Sequence, residues 1–326
     1  MNIQPNTLEE LASIAQATPI VEIRDTLLNE NKISLYIKRE DLNHPALSGN
    51  KWHKLKYNIR EAIILGKKTL LTFGGAYSNH IYAAAAAGRI FNFRTIGLIR
   101  GEEHLPLNTT LTFAKENGME LYYLDRTAYR QKNSSQVIQN LRDRFGDFYL
   151  IPEGGTNELA VKGCSELIGK MGLHFDYICC PCGTGGTLAG LVSGLNGKKY
   201  ALGFSVLKGA SFLKDNVRNL LNNAGYDLLT NWNINLDYHF GGYAKVSKEL
   251  IEFINTFYSN TKIPIEPIYT GKMIYGIYDL ISKGFFEHGT RIIAVHTGGL
   301  QGLNGLQSKI KKGTLSKLNF SDNINN

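Results

Sequence analysis

The stretch DYICCPCGTGGTLAGLVSGL, residues 176–195, runs a short apolar segment into a glycine and threonine loop and out into a segment of helical length. A run that is apolar on both faces belongs inside a parallel sheet, and the helix behind it is the crossover such a sheet needs. The loop itself, Gly183-Thr184-Gly185-Gly186-Thr187, lets the backbone approach an anion closely. Unpaired N–H groups at the helix start and two threonine hydroxyls supply donors, which is the chemistry of a phosphate cradle. It is not a dinucleotide fingerprint, because the third glycine of that motif falls on Leu188 and the next strand ends without an acidic residue for a ribose.

Outward from this unit the same alternation recurs. Besides 176–181, the segments 34–40, 69–75, 94–100, 119–125, 147–152, 200–206 and 291–297 read as strands, and helix-length segments separate most of them. The expected fold class is therefore α/β, with parallel sheets covered by helices and ligands at the carboxyl ends of the strands. A chain of 326 residues is long for one core, so two domains are expected.

Composition narrows the function. The net charge of +8 comes from basic residues interleaved with acids; only KIKKGTLSK, 309–317, is locally basic. Nucleic-acid binding needs a concentrated basic stripe, so a small anionic ligand accounts better for the excess. Cys164, Cys179, Cys180 and Cys182 lack a second pair at zinc-ligand spacing and read as small core side chains in a reduced protein, with no metal site expected. The start, MNIQPNTLEELASIAQ, has no basic and apolar leader pattern, and no apolar run reaches membrane-spanning length. A cytoplasmic protein with no membrane partner is expected.

Two further stretches carry chemistry. In TFGGAYSNHIYAAAAAGRI, 72–90, a strand runs through Gly74-Gly75 to Ser78-Asn79-His80 and an alanine-rich helix. Ser78 and Asn79 are favoured caps, and the helix start suits a carboxylate or phosphate. In LSGNKWHKLKYNI, 47–59, Lys51 stands directly behind Ser48-Gly49-Asn50 at the head of a basic amphipathic segment. The residue after Lys51 is Trp52, not the Ser or Thr that a nucleotide-binding loop places there. A lysine in a turn, an anion-binding helix start, a phosphate loop and a terminal HTGG, 296–299, together suit a phosphate-bearing aldehyde cofactor, pyridoxal 5′-phosphate.

In order and spacing, KREDLNHPALSGNKWHKLKYN (38–58), GGAYSNH (74–80), PCGTGGT (181–187), PIYTGKMIYGI (267–277) and VHTGGLQGL (295–303) resemble the D-cysteine desulfhydrase and 1-aminocyclopropane-1-carboxylate deaminase family, of the tryptophan synthase β-like fold. The resemblance implies that Lys51 forms the imine with the cofactor and shuttles the proton at the substrate α-carbon. It implies that Asn79 meets the cofactor's 3′-oxygen, that Ser78 and His80 lie at the substrate carboxylate and reacting atoms, and that Asn50 flanks the cofactor. Gly183, Thr184, Gly185, Gly186 and Thr187 would hold the phosphate, and Thr297 would be a neutral partner of the pyridine nitrogen. Tyr269 would lie against the ring and Tyr243, in FGGYAK, would be a second catalytic tyrosine; a phenol relays protons best with its pKa lowered from about 10. His53 and Lys54 differ from the family's usual pair and are expected on the helix surface.

The ring-opening enzymes carry glutamate directly after the motif tyrosine, where this chain has Thr270. A neutral partner makes a weaker electron sink, adequate when the β substituent leaves readily. The resemblance with this departure implies β-elimination from a small amino acid, giving pyruvate and ammonia, as in D-cysteine desulfhydrase. The alternatives are ring opening of 1-aminocyclopropane-1-carboxylate and a binding protein that retains the cofactor without turnover. A larger cofactor-binding domain from 1–51 with 152–326, a smaller one from 52–151, and a homodimer are also implied. The polar tail SKLNFSDNINN, 316–326, is expected to be disordered.

Overall fold

The computed structural model describes residues 10–11, 13–306 and 317–320. All eight expected segments form strands: β2 (Ser34–Lys38), β3 (Thr69–Gly74), β4 (Arg94–Arg100), β5 (Met119–Leu124), β6 (Tyr149–Ile151), β7 (Tyr177–Cys182), β8 (Tyr200–Ser205) and β10 (Arg291–Val295). Two short strands, β1 (Ile20–Ile23) and β9 (Trp232–Asn235), were not anticipated. They occupy the two edges of a six-stranded sheet ordered β1-β2-β10-β7-β8-β9, where half the backbone needs no partner and four residues suffice. A four-stranded sheet is ordered β5-β4-β3-β6. Every pairing is parallel except β1 with β2, so the architecture is the α/β class expected.

β7 explains the arrangement of the larger sheet. Ile178, Cys179, Cys180 and Cys182 are buried, Cys179 facing a core with Ile37 and Ile274 and Cys180 facing the opposite core with Leu188 and Val192. The cysteines are free thiols. Burial on both faces favours a parallel strand covered by helices. Among the described residues no helix is long and apolar enough to cross a membrane.

Four helices carry the chemistry: α1 (Asn50–Ile64), α2 (Asn79–Phe91), α3 (Gly186–Leu195) and α4 (Thr270–Ser282). The amphipathic reading of α1 needs correction. His53, Lys54 and Lys56 are buried along with Trp52, Leu55 and Ile59. The helix Glu158–Gly169 packs so closely that a Cβ on Gly163 would fall 1.8 Å from the His53 carbonyl oxygen, which closes off the face expected to meet solvent. Each buried polar side chain has a partner, although His53 Nδ1 is left without one. His53 Nε2 lies 2.7 Å from Glu40 Oε2, and Lys56 pairs with Glu166. Burial would raise Glu40, but His53, the Thr18 hydroxyl and Lys38 outweigh it and hold the carboxyl at about 2. The tail also departs from expectation where it is described: Leu318 and Phe320 are buried, with Phe320 against Tyr258, and the rest of 316–326 lies outside the described residues.

Candidate active site

The start of α1 is fixed by backbone contact. Gly49 has φ +69°, and a Cβ on it would lie 1.9 Å from the Thr297 carbonyl oxygen. Glycine is thus required on both counts. The Asn50 N–H donates to that same oxygen at 3.3 Å, so the turn before Lys51 rests on the loop after β10. Lys51 Nζ donates to Asn50 Oδ1 at 2.9 Å, and Asn50 Nδ2 donates to Thr187 Oγ1 at 2.8 Å. Burial lowers the Lys51 pKa to about 7, and nearby Lys54 pushes the same way. An amine held near neutrality is a nucleophile at physiological pH, unlike an ordinary lysine.

The phosphate loop is built for an anion. α3 starts at Gly186 behind Gly185, φ +84°, and no side chain caps its first N–H groups. Lys54 supplies the charge: its Nζ lies 3.2 Å from Gly154 O, 3.1 Å from Thr156 Oγ1 and 3.4 Å from Thr184 Oγ1. Lys54 stands one turn after Lys51, a spacing that places both on one face and could have flagged it in the sequence. The two adjacent glycines answer to different constraints. A Cβ on Gly186 would come within 3.2 Å of Lys54 Nζ and 2.8 Å of Thr156 Cγ2, whereas one on Gly185 would strike Val217 at 2.7 Å.

The loop after β3 behaves as its sequence suggested, with one difference. Ser78 Oγ accepts the N–H groups of His80 and Ile81, leaving its own hydrogen free to donate. Asn79 Oδ1 accepts from Gln301 at 3.2 Å. The Thr72 hydroxyl donates to Ile151 O at 2.7 Å, so it must receive the Nε2–H of His80, also 2.7 Å away. His80 Nδ1 is then a bare lone pair, buried without a partner. Burial, with Lys51 and Lys54 adding to it, holds His80 well below its ordinary pKa, so the ring is neutral. It offers an acceptor and not a donor to a carboxylate.

Tyr243 and Tyr269 meet edge to face, ring centroids 5.9 Å apart. Burial raises both phenols, contrary to the lowering that proton relay by a phenolate would need, so both stay protonated. Tyr269 immediately precedes α4, where Glu266 accepts the N–H groups of Ile268, Tyr269 and Thr270 at 2.6–3.0 Å. Burial raises Glu266 to about 7 against those hydrogen bonds. Lys272, in the first turn of α4, donates to His239 O at 2.8 Å and Gly242 O at 2.9 Å. It thereby clamps a loop in which Phe240, Gly241, Gly242 and Ala244 all have positive φ and from which Tyr243 projects. Thr270 is fully buried and its hydroxyl has no partner.

These elements enclose one cavity of about 480 Å³. Lys51, Asn50, Ser78, Asn79, His80, Gly183, Thr184, Gly185, Thr187, Tyr243, Tyr269 and Thr297 all line it, and Gly186 stands just behind as the first residue of α3. Lys54, Arg100, Lys132 and Glu153 line it too and were not singled out as site residues in the sequence. The model of a family described as pyridoxal-phosphate dependent enzymes matches residues 12–298. The chain belongs to this family. In this pyridoxal-phosphate dependent enzyme the cavity fits its cofactor on three observations. A depressed amine lies at its floor, an uncapped helix start faces a buried lysine, and a buried imidazole nitrogen waits for a donor.

Relatives sharpen the placement. A Pyrococcus abyssi protein with a provisional 1-aminocyclopropane-1-carboxylate deaminase name is 31% identical over 88% of this chain and 90% of its own. An Arabidopsis thaliana mitochondrial protein named a bifunctional D-cysteine desulfhydrase/1-aminocyclopropane-1-carboxylate deaminase is 30% identical over 90% of this chain and 80% of its own. A crystal structure of a 1-aminocyclopropane-1-carboxylate deaminase homologue matches with TM-score 0.81 and 28% identity, over 95% of this chain and 99% of that one.

Proposed function

We propose that this enzyme is a lyase that deaminates a small amino acid by β-elimination, as D-cysteine desulfhydrase does, releasing pyruvate, ammonia and, from cysteine, sulfide. The observation that carries the reading is the absence of a free carboxylate from the cavity wall. Among the described residues the only lining acid is Glu153, whose two oxygens are engaged by Tyr129 at 2.9 Å and Lys132 at 3.1 Å. Glu266 does not line the cavity and spends its carboxylate on the N–H groups at the start of α4. Thr297, which lines the cavity, would then offer a neutral hydroxyl to the pyridine nitrogen, the weaker sink that suits a good leaving group. The Arabidopsis relative carries both activity names, so ring opening is the second reading.

When bound, pyridoxal phosphate supplies the sink for the electron pair left at the substrate α-carbon. Lys54, the N–H groups at the start of α3 and the hydroxyls of Thr184 and Thr187 would hold its phosphate. Asn79 would meet the 3′-oxygen, and Asn50 would orient the Lys51 amine, which in its neutral form would remove the α proton. Ser78 donates to the substrate carboxylate, while His80 Nδ1 accepts from a substrate or lysine N–H. The protonated phenols of Tyr269 and Tyr243 donate to the departing β substituent. The Cα–H and Cβ–S bonds break in turn, and water converts the released enamine to pyruvate and ammonia. We take 1–51 with 152–326 as the cofactor-binding domain and 52–151 as a smaller domain that closes over it to exclude water. A homodimer is taken from the resemblance, and a cytoplasmic location from the four free, buried cysteines.

Assaying keto-acid release from D-cysteine, β-chloro-D-alanine and 1-aminocyclopropane-1-carboxylate tests this reading. Elimination should exceed ring opening at least tenfold, about 1.4 kcal/mol of barrier. Equal or faster ring opening would replace the first reading by the second.

A further inference from the structure

The four-stranded sheet ends in a second cavity, about 760 Å³, that the reaction above does not use. Each of its strands contributes at its carboxyl end: Gly75 after β3, Arg100 at the end of β4, Asp125 after β5 and Glu153 after β6. This is where a parallel sheet places ligands. Gly75, Arg100, Lys132 and Glu153 line both cavities and form the passage between them.

The charges at this passage are unequal in their commitments. Glu153 is engaged on both oxygens by Tyr129 and Lys132, and Asp125 accepts the N–H groups of Thr127 and Ala128. Arg100 makes no ion pair among the described residues; its guanidinium lies 5.9 Å from the centroid of the Tyr129 ring, on which Lys132 also sits at 4.8 Å. Its Nη2 comes within 3.9 Å of where a Cβ on Gly75 would stand, which places the cation beside the loop that carries Ser78 and Asn79. Around the second cavity Arg126 and Arg130 add positive charge, with Glu102 opposing. Arg100 is exposed, so with a substrate the size of cysteine only water would meet its guanidinium and fill the second cavity.

We propose that Arg100 receives a second anionic group on the substrate: the amino acid taken here bears, on its β substituent, a carboxylate or comparable anion distinct from the α-carboxylate. The proposal rests on the reading of this cavity as the amino-acid site and specifies what that amino acid carries. Arg100 is a specificity-determining residue. Its planar fork matches a carboxylate in two hydrogen bonds, and the fixed ring of Tyr129 holds the guanidinium toward the passage.

A matched pair isolates the charge: racemic S-carboxymethylcysteine and its neutral amide, S-carbamoylmethylcysteine, given to the cofactor-loaded protein. The wild type should favour the acid over the amide at least tenfold, both in kcat/KM for keto-acid release and in equilibrium binding by calorimetry. Arg100→Gln should bring both ratios close to one, and Arg100→Lys should keep part of the preference. Equal handling of acid and amide by the wild type, or a preference that survives in Arg100→Gln, overturns the proposal. Should neither compound, nor β-chloroalanine, yield keto acid, the elimination reading fails. The calorimetric ratio then decides the role of Arg100 by itself.

Discussion

Gly49 and Thr297 touch backbone to backbone, leaving 1.9 Å between the carbonyl oxygen of one and the place where a side chain on the other would begin. Gly66 also has positive φ, at +64°, yet nothing lies within 4 Å of its missing side chain. Gly49→Ala should therefore add a clash to backbone strain of about 1–2 kcal/mol, and Gly66→Ala should show the strain alone. Thermal melting and cofactor content of the two purified variants check this: Gly49→Ala should lose its cofactor, while Gly66→Ala melts a few degrees lower and retains it.

Burial lowers the Lys51 pKa to about 7, and its neutral form is the reactive one. Covalent uptake of added pyridoxal phosphate by cofactor-free protein should accelerate as pH rises through about 7, not through the ordinary lysine range near 10.4. Lys51→Ala should abolish the borohydride-reducible chromophore and turnover at every pH. Stopped-flow absorbance from pH 5 to 9 gives the midpoint.

Lys54 acts on the site twice, through its hydrogen bonds to Thr156 and Thr184 and through its charge on Lys51. Lys54→Met should weaken cofactor binding at least tenfold, and because it removes a neighbouring positive charge the Lys51 midpoint should move upward. Retention of both affinity and midpoint would place the phosphate elsewhere.

Lys272 holds the loop of Tyr243 by two carbonyl oxygens, and burial lowers it to about 8, with Glu266 opposing the shift. Lys272→Met should reduce kcat about tenfold or more with cofactor content unchanged, and Lys272→Arg should restore part of it. In the wild type the clamp is charged below about pH 8 and weakens above it, so kcat should decline on the alkaline side. The alkaline limb should be absent from the pH profile of Lys272→Met.

Much of this was legible because the strands are buried on both faces and interrupted by glycine. A segment such as Thr69–Gly74 has no other stable form between two helices. Lys51 and the 183–187 loop stood out by their glycine-rich settings and Thr297 only through the family resemblance, and all three come to one cavity. Lys54 was misjudged for a physical reason: a lysine on a basic helix ordinarily reaches water, and only the close approach of Gly163 to His53 turns that face inward. Ile20–Ile23 and Trp232–Asn235 escaped notice because edge strands of four residues carry too little alternation to register. Arg100 ends a strand whose apolar run drew attention to its middle, and its neighbours come from three other strands.

β2 lies hydrogen-bonded beside β10, Ser34 opposite Arg291 and Lys38 opposite Val295. The ribosome makes the segment that positions Lys51 before β3 to β9, and the segment it rests on only after them. While those strands are made the chain carries a lysine that has no Thr297 loop to dock on, so cofactor capture waits for β10. Ribosome-bound chains that end before residue 291 should bind no pyridoxal phosphate, although the four strands from 69 to 151 are already complete.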